Sequence, residues 1–198
     1  MPAPEPVMTV FPTTPSQTVG PYFAIGLVGP PWPDAALAVP EGAPGAIRIG
    51  GMVYDGAGVE IPDHIVEVWG ADPEGRFADL HGYGGPSEHE GFRGFARSGD
   101  EDGDGSWSVL TLKPGPVPGL GGTTQAPHLD VSVFARGMLH RVVTRIYFAD
   151  EEEANAADPV LRTVPAERRH TLLAQPVDGG YEIDIHVQGP NETVFFAV

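Results

Sequence analysis

Apolar and polar residues alternate along several short stretches of the chain, the pattern of β-strands with one buried face. In the clearest stretch, residues 128–134, the side chains of His128, Asp130 and Ser132 share one face and three aliphatic side chains share the other. Comparable runs predict further strands at 47–54, 64–69, 106–112, 142–148, 181–187 and 193–197. Two short helices are predicted at 150–157 and 165–173, the second beginning with a proline in its first turn.

The segments between these runs divide the chain into an arm and a domain. Residues 1–45 contain eleven prolines and no sustained period, yet carry too much apolar surface to stay solvated. We predict an irregular N-terminal arm over 1–45 that packs on its own domain or on a partner. Residues 46–198 are predicted to form an all-β domain, a β-sandwich with one or two short helices. Within it, residues 70–99 are predicted to be a long loop with short strand fragments near Phe92 and Phe95.

Composition narrows the possible functions. The 198 residues include 27 acidic and 11 basic side chains, a net charge of −16 that disfavours binding to nucleic acid. The absence of cysteine excludes disulfides and thiolate chemistry. No apolar run is long enough to cross a membrane and the first residues do not resemble a signal peptide, so a cytoplasmic location is expected.

One candidate site lies at the start of the 128–134 strand. His128 and Asp130 point to the same face, as half of a metal site on a sheet would. Before them, Pro114, Pro116 and Pro118 form a stiff segment that cannot continue a sheet and is expected to arch over the strand ends. A hairpin connection with polar residues at a strand entrance explains the same pattern.

The acidic segment 100–105 partly matches a calcium-binding loop. Its carboxylates alternate and its sixth residue is glycine, but the twelfth position, which should be a glutamate, is Thr111. A strand follows rather than a helix. An acidic hairpin turn is therefore the favoured interpretation.

Seven motifs together resemble one family, the intradiol ring-cleavage dioxygenases. They are TPSQTVGPYF at 14–23, EVW at 67–69, KPGP at 113–116, APHLD at 126–130, SVFARG at 132–137, TRIYF at 144–148 and GPNETVFF at 189–196. The resemblance covers nearly the whole chain. It implies a β-sandwich and a ferric ion held by two tyrosines and two histidines, hard anionic phenolates being suited to Fe(III).

The resemblance also implies an activity. The substrate catechol binds the iron as its dianion, and O₂ attacks the activated ring. For protocatechuate the cleavage falls between the two hydroxylated carbons and gives 3-carboxy-cis,cis-muconate, a step of aromatic catabolism in the β-ketoadipate pathway.

This chain departs from the family pattern at the metal ligands. Val117 stands where the Pro-Gly-Pro turn should be followed by a tyrosine, Phe77 lies in the region of the other tyrosine, and Asp130 replaces the second histidine. Valine and phenylalanine have no lone pair to offer. Only His128 matches. The resemblance therefore implies a non-iron-binding α-type subunit, inactive alone, whose homologous β subunit holds the Fe(III) in an (αβ)n oligomer.

In such an oligomer this chain would supply walls of the substrate pocket. Arg136 is a candidate because a guanidinium matches the ring carboxylate of protocatechuate. A surface ion pair within the acidic chain is its alternative role. From the arm, Gly20 and Pro21 would allow close approach of rigid backbone, and Tyr22 would present a flat wall with a polar tip. Thr18 completes the predicted set.

Two alternatives remain open at this stage. The first is a stand-alone dioxygenase with an atypical metal site, for which His81 and Tyr83 are the nearest substitute ligands in sequence. The second is a β-sandwich binding module that uses its acidic surface to bind a partner or calcium.

Overall fold

The computed structural model describes residues 25–28, 32–78, 87–100 and 103–197. Its strands are β1 Ala46–Tyr54, β2 Ile65–Gly70, β3 Phe95–Gly99, β4 Ser106–Leu112, β5 Val117–Pro118, β6 Thr124–Gln125, β7 His128–Phe134, β8 Val142–Phe148, β9 Leu173–Val177, β10 Gly180–Glu182 and β11 Ile185–His186. An α-helix spans Glu152–Ala157, and 3₁₀ helices span Leu120–Gly122, Leu161–Thr163 and Ala166–Leu172.

The strands form two layers that confirm the predicted all-β sandwich. In one layer β1 pairs with β4, β10 and β11. In the other layer the order is β3-β2-β7-β8. Strand β9 joins the two, because it pairs antiparallel with β10 and parallel with β8.

Alternation along the strands builds the main core between the layers. The inward side chains of β7 are buried together with those of β1 and β4, and Trp107 and Phe148 are the largest fully buried side chains of this core. The strands predicted at 106–112, 128–134 and 142–148 have the predicted bounds, and each turns alternate, mostly apolar side chains toward this interior. A smaller core forms around Tyr147, Leu161 and Leu172, on the outer face of β8.

Several local predictions are wrong. The alternating run 181–187 is divided into β10 and β11, which pair with β1 in the same register. Between them, Gly51 lies close to the Ile183 carbonyl, and Asp184 accepts a hydrogen bond from the Met52 amide through its side chain. Residues 193–197 form one isolated bridge, between Phe196 and Val143, instead of a strand.

Other predictions need smaller corrections. The second predicted helix is a 3₁₀ helix that follows Pro165, and the strand Leu173–Val177 comes directly after it. Phe92 lies outside the strands and is buried in a small separate core, whereas Phe95 begins a five-residue strand. The proline segment after Lys113 does enter a sheet, since Val117 and Pro118 pair with the β6 strand.

The acidic segment 100–105 connects the two layers and does not close a hairpin. Strand β3 pairs with β2, whereas β4 pairs with β1. The carboxylates of Asp100 and Asp104 accept hydrogen bonds from the amides of Gly105 and Ser106, at 3.0 Å each. The hairpin interpretation is therefore wrong, and residues 101 and 102 lie outside the described ranges.

Of the predicted arm, residues 25–28 and 32–45 are described, and residues 32–45 lie against the sheets. Ala38 donates its amide to the Leu110 carbonyl at 2.8 Å, and the Val39 side chain is fully buried. Among the described helices, none has the length and apolar character needed to span a membrane.

Candidate functional site

The first residues of β7 carry the predicted half-site. His128 is buried and Asp130 half-buried, both on the outer face of the sheet, while Leu129 points into the main core. Across the ladder His128 lies opposite Tyr147 and Asp130 opposite Arg145. The sheet therefore brings four functional side chains together at one end of β7 and β8.

Two loops meet beside this end of the sheet. The amide of Gly115 donates to the Asp72 carbonyl at 2.9 Å. A Cβ atom added to Gly75 would lie 2.1 Å from the Pro116 carbonyl oxygen, so the two backbones touch where only glycine fits. These loops carry the two remaining degenerate positions, Val117 and Phe77.

Their side chains are in different environments. Val117 is buried and pairs with Gln125, three residues before His128. Phe77 pairs with Ala71 just beyond the end of β2 and keeps 40% of its surface exposed. The structure thus brings the four predicted positions together around the start of β7. Their side chains are not the two tyrosines and two histidines that the resemblance implies.

Arg145 lies among these positions, and the sequence predictions assigned it no role. Its Nε donates to Asp130 Oδ1 at 2.8 Å, and its Nη1 donates to Gln125 Oε1 at 2.6 Å. Tyr147, two residues further along β8, lies on the same face of the strand. Burial alone would lower the pKa of Arg145. The side chains of Tyr147 and Asp130 raise it by more than burial lowers it, so the pKa is raised overall and the guanidinium remains charged. A lone arginine within the apolar run 142–148 was the available signal.

His128 presents an unprotonated nitrogen to the same site. Its Nδ1 donates to the Ala126 carbonyl at 2.7 Å, which leaves the lone pair on Nε2. Nε2 lies 4.0 Å from Asp130 Oδ1. Burial, and next the charge of Arg145, lower the pKa of His128 below its ordinary value, so the ring is neutral at pH 7.

The buried carboxylate of Asp158 binds the residues next to His128 and Arg145 and fixes their positions. Asp158 accepts hydrogen bonds from the Ala126 amide at 2.8 Å, the Tyr147 hydroxyl at 3.1 Å and the amides of Val160 and Leu161 at 2.9 and 2.6 Å. Burial is the main reason that the pKa of Tyr147 is raised. Tyr147 is therefore a neutral phenol that donates to Asp158.

These residues do not fit a ferric ion held by two tyrosines and two histidines. Val117 and Phe77 have no donor atoms, and Asp130 is already paired with Arg145. The phenol of Tyr147, which lies opposite His128, directs its proton at Asp158. Of the four predicted ligand positions, Val117 and Phe77 carry apolar side chains, Asp130 is in an ion pair, and His128 keeps a lone pair on Nε2.

Arg136 lies at the other end of the same strand. It follows Phe134, the last residue of β7, and seven strand residues at about 3.3 Å each separate the two ends by roughly 20 Å. Its side chain is 59% exposed, and its ion pair with Asp63 Oδ2 is long, at 3.9 Å. The structure therefore does not bring Arg136 to the degenerate ligand positions of its own chain.

Six of the predicted residues lie outside the part of the chain that the structure describes. Thr18, Gly20, Pro21 and Tyr22 of the arm lie outside the described residues. His81 and Tyr83, the substitute ligands of the stand-alone alternative, lie outside them as well.

One further group in the described ranges has metal-binding side chains close together. Ligand atoms of Asp72, Glu74 and His89 lie within 4.8 Å of one another. However, Arg76 forms ion pairs with Asp72 and Glu74 at 3.1 and 3.2 Å, and His89 Nε2 is 2.9 Å from Glu74. Like Asp130, these carboxylates already have a cationic partner.

Comparison with known proteins places this geometry in a family. A family model described as dioxygenase matches residues 19–181. The chain belongs to this dioxygenase family. The resemblance of its motifs to intradiol dioxygenases is thereby confirmed.

Individual named proteins match most of the chain. The chain is 42% identical to the protocatechuate 3,4-dioxygenase alpha chain of Pseudomonas putida, over 94% of this chain and 97% of that one. It is 31% identical to the beta chain of the Burkholderia cepacia enzyme, over 79% and 71% of the two chains. Among solved structures, the dioxygenase domain of a carbohydrate-binding fusion protein from Streptomyces sp. SirexAA-E is 25% identical, with a TM-score of 0.50 over 89% and 98% of the chains.

Proposed function

We propose that this chain is the α subunit of a protocatechuate 3,4-dioxygenase, the enzyme that opens the protocatechuate ring with O₂ to 3-carboxy-cis,cis-muconate. Its similarity to an alpha chain of that name, over almost the full length of both proteins, supports this assignment. The chain acts in the cytoplasm as one part of an (αβ)n oligomer, and alone it is inactive.

The Fe(III) of the enzyme belongs to the homologous β subunit in this proposal. Support comes from the side chains at the four degenerate positions. Val117 and Phe77 cannot donate to a metal, and Asp130 binds Arg145 at 2.8 Å. Both the alpha chain and the beta chain of the Burkholderia cepacia protocatechuate 3,4-dioxygenase are similar to this chain, which supports a homologous partner. Iron in the partner would bind the catechol oxygens and prepare the ring for O₂.

The contribution of this chain is to bind and orient the substrate at the interface. The observation that carries the proposal is the position of Arg136, exposed and about 20 Å from the degenerate positions of its own chain. A single-ring substrate held by Arg136 is too short to reach those positions. A site that uses Arg136 must therefore be completed by another chain.

Arg136 would bind the ring carboxylate of protocatechuate through charge-assisted hydrogen bonds. Thr18, Gly20, Pro21 and Tyr22 would complete the wall from the arm, the tyrosine ring stacking on or beside the aromatic substrate. In this arrangement Arg136 fixes the orientation of the ring relative to the partner's iron.

Reconstitution tests the proposal. The chain is expressed alone, with its β partner, and as separately purified subunits that are then mixed. Oxygen uptake with protocatechuate should be absent for this chain alone and appear when β is present, with both chains eluting together from a sizing column. Ring opening by this chain alone at the rate of the mixture would refute the proposal.

A further inference from the structure

Arg145 is surrounded by the kind of shell that would hold a metal cation. We propose that its guanidinium replaces the metal at the degenerate site and keeps metal ions out, and that removing its charge uncovers a divalent-cation site formed by His128 and Asp130. This inference rests on the proposed function in one respect, that the iron of the enzyme is held by the partner.

Two side-chain acceptors from different strands contact Arg145. Asp130 Oδ1 lies 2.8 Å from Nε, and Gln125 Oε1 lies 2.6 Å from Nη1. They come from β7, which pairs with β8, and from β6. Because these strands are hydrogen-bonded or joined by only two residues, the shell is fixed by the sheet and does not depend on a mobile loop.

Two of the surrounding groups have the separation of metal ligands. His128 Nε2 and Asp130 Oδ1 are 4.0 Å apart. Two atoms that each lie about 2.1 Å from one tetrahedral ion would be roughly 3.4 Å apart, so a small movement brings both onto the same cation. The hydrogen bond from Nδ1 to the Ala126 carbonyl orients the ring with Nε2 toward Asp130, the second-sphere contact that typically fixes a ligating histidine.

A guanidinium in this position opposes metal binding in two ways. It is a permanent charge within a few ångströms of the point between the two donors, and Coulomb repulsion toward a divalent ion is strong at that distance in a partly buried site. It also occupies the carboxylate of Asp130, which would have to break its ion pair before it could bind a metal. Arg145 side-chain exposure is 19%, so solvent screens this charge only in part.

The test compares cobalt binding to the full chain and to variants without the charge. Co²⁺ is the probe, because its visible bands report coordination by a histidine and a carboxylate. Arg145→Gln keeps an amide that donates to Asp130, and Arg145→Met removes both the charge and the hydrogen bonds. Arg145→Lys keeps the charge, and Arg162→Gln removes an equal charge from an exposed position elsewhere.

We expect Arg145→Gln or Arg145→Met to bind one Co²⁺ at least about 100-fold more tightly than the unchanged chain. Arg145→Lys and Arg162→Gln should bind no more tightly than the unchanged chain. Adding His128→Ala to the Arg145→Gln variant should abolish the gain. Circular dichroism establishes which variants fold, and the conservative Arg145→Gln carries the test if Arg145→Met does not.

A folded Arg145→Gln chain with the cobalt affinity of the unchanged chain would overturn the inference, as would a gain that survives His128→Ala. Either result leaves the proposed function intact if the αβ enzyme still opens protocatechuate with its iron in β. Conversely, stoichiometric iron in the unchanged chain would contradict the proposed function whatever the Arg145 variants do.

Discussion

Replacing Arg136 by alanine in the intact αβ enzyme is expected to raise the KM for protocatechuate several-fold. The guanidinium is 59% exposed in this chain, and its ion pair with Asp63 is 3.9 Å long. Little must therefore be broken within the chain before Arg136 binds a substrate carboxylate. The alanine variant loses that contact while the sandwich, which Arg136 does not help to pack, stays folded.

The magnitude follows from the exposure. A hydrogen bond to a charged group contributes about 1.5–3 kcal/mol when it is well shielded. Solvent screening of a half-exposed side chain reduces this to about 1 kcal/mol. Since 1.4 kcal/mol corresponds to a factor of ten, the expected rise in KM is about fivefold. It should be larger at low ionic strength, where the screening is weaker.

Oxygen uptake at varied protocatechuate concentration measures this effect. We expect kcat to stay within about twofold, because Arg136 would orient the ring and take no part in the reaction with O₂. Arg136→Lys should recover part of the affinity, since it keeps the charge without the planar fork. Arg162→Ala serves as the exposed control. An unchanged KM in purified αβ enzyme carrying Arg136→Ala would remove this residue from the pocket.

Three further predictions concern the scaffold. Asp158→Ala leaves four donors, among them the buried Tyr147 hydroxyl, without an acceptor, and should lower the free energy of unfolding by about 3 kcal/mol or more in urea titrations; a loss below about 1 kcal/mol would contradict this. Burial lowers the pKa of His64, so the unfolded chain takes up a proton where the folded chain does not, and stability should fall as the pH drops below about 6.5. Urea titrations from pH 7.5 to 5.5 should show a smaller fall in the free energy of unfolding for His64→Leu than for the unchanged chain. Equal falls in the two proteins would contradict the role of His64. Gly115→Ala places a Cβ atom 2.1 Å from the Pro73 carbonyl oxygen and should cost about 1–3 kcal/mol by thermal unfolding; an unchanged melting temperature would show that the loops can separate.

The interior strands of the sandwich were predictable because their inward positions are mostly apolar. The runs 106–112, 128–134 and 142–148 each place such a row on the main core, and a shift of one residue would turn that row to the outer face. The run 181–187 alternates equally well, yet residues 183 and 184 fall outside its two strands, beside the close approach of Gly51 to Ile183, a tertiary contact that no local pattern records. Strand β9 was missed because Pro176 lies within it.

The sequence motifs indicated residues that the fold brings together, but they did not indicate the ion pair formed among them. The motifs located Val117, His128 and Asp130, and the fold gathers them at one end of β7. Arg145 was missed because its importance depends on register: it lies directly opposite Asp130, on a strand whose sequence gives no hint of its neighbour. The separation of Arg136 from these positions likewise follows from the direction of β7.

The most direct test of the account is the metal content and visible spectrum of this chain, purified alone and in the αβ enzyme. The account predicts that the chain alone is colourless and free of stoichiometric iron, while the complex contains one ferric ion per αβ pair and shows the absorption of tyrosinate bound to Fe(III). Stoichiometric iron with that absorption in the isolated chain would contradict it.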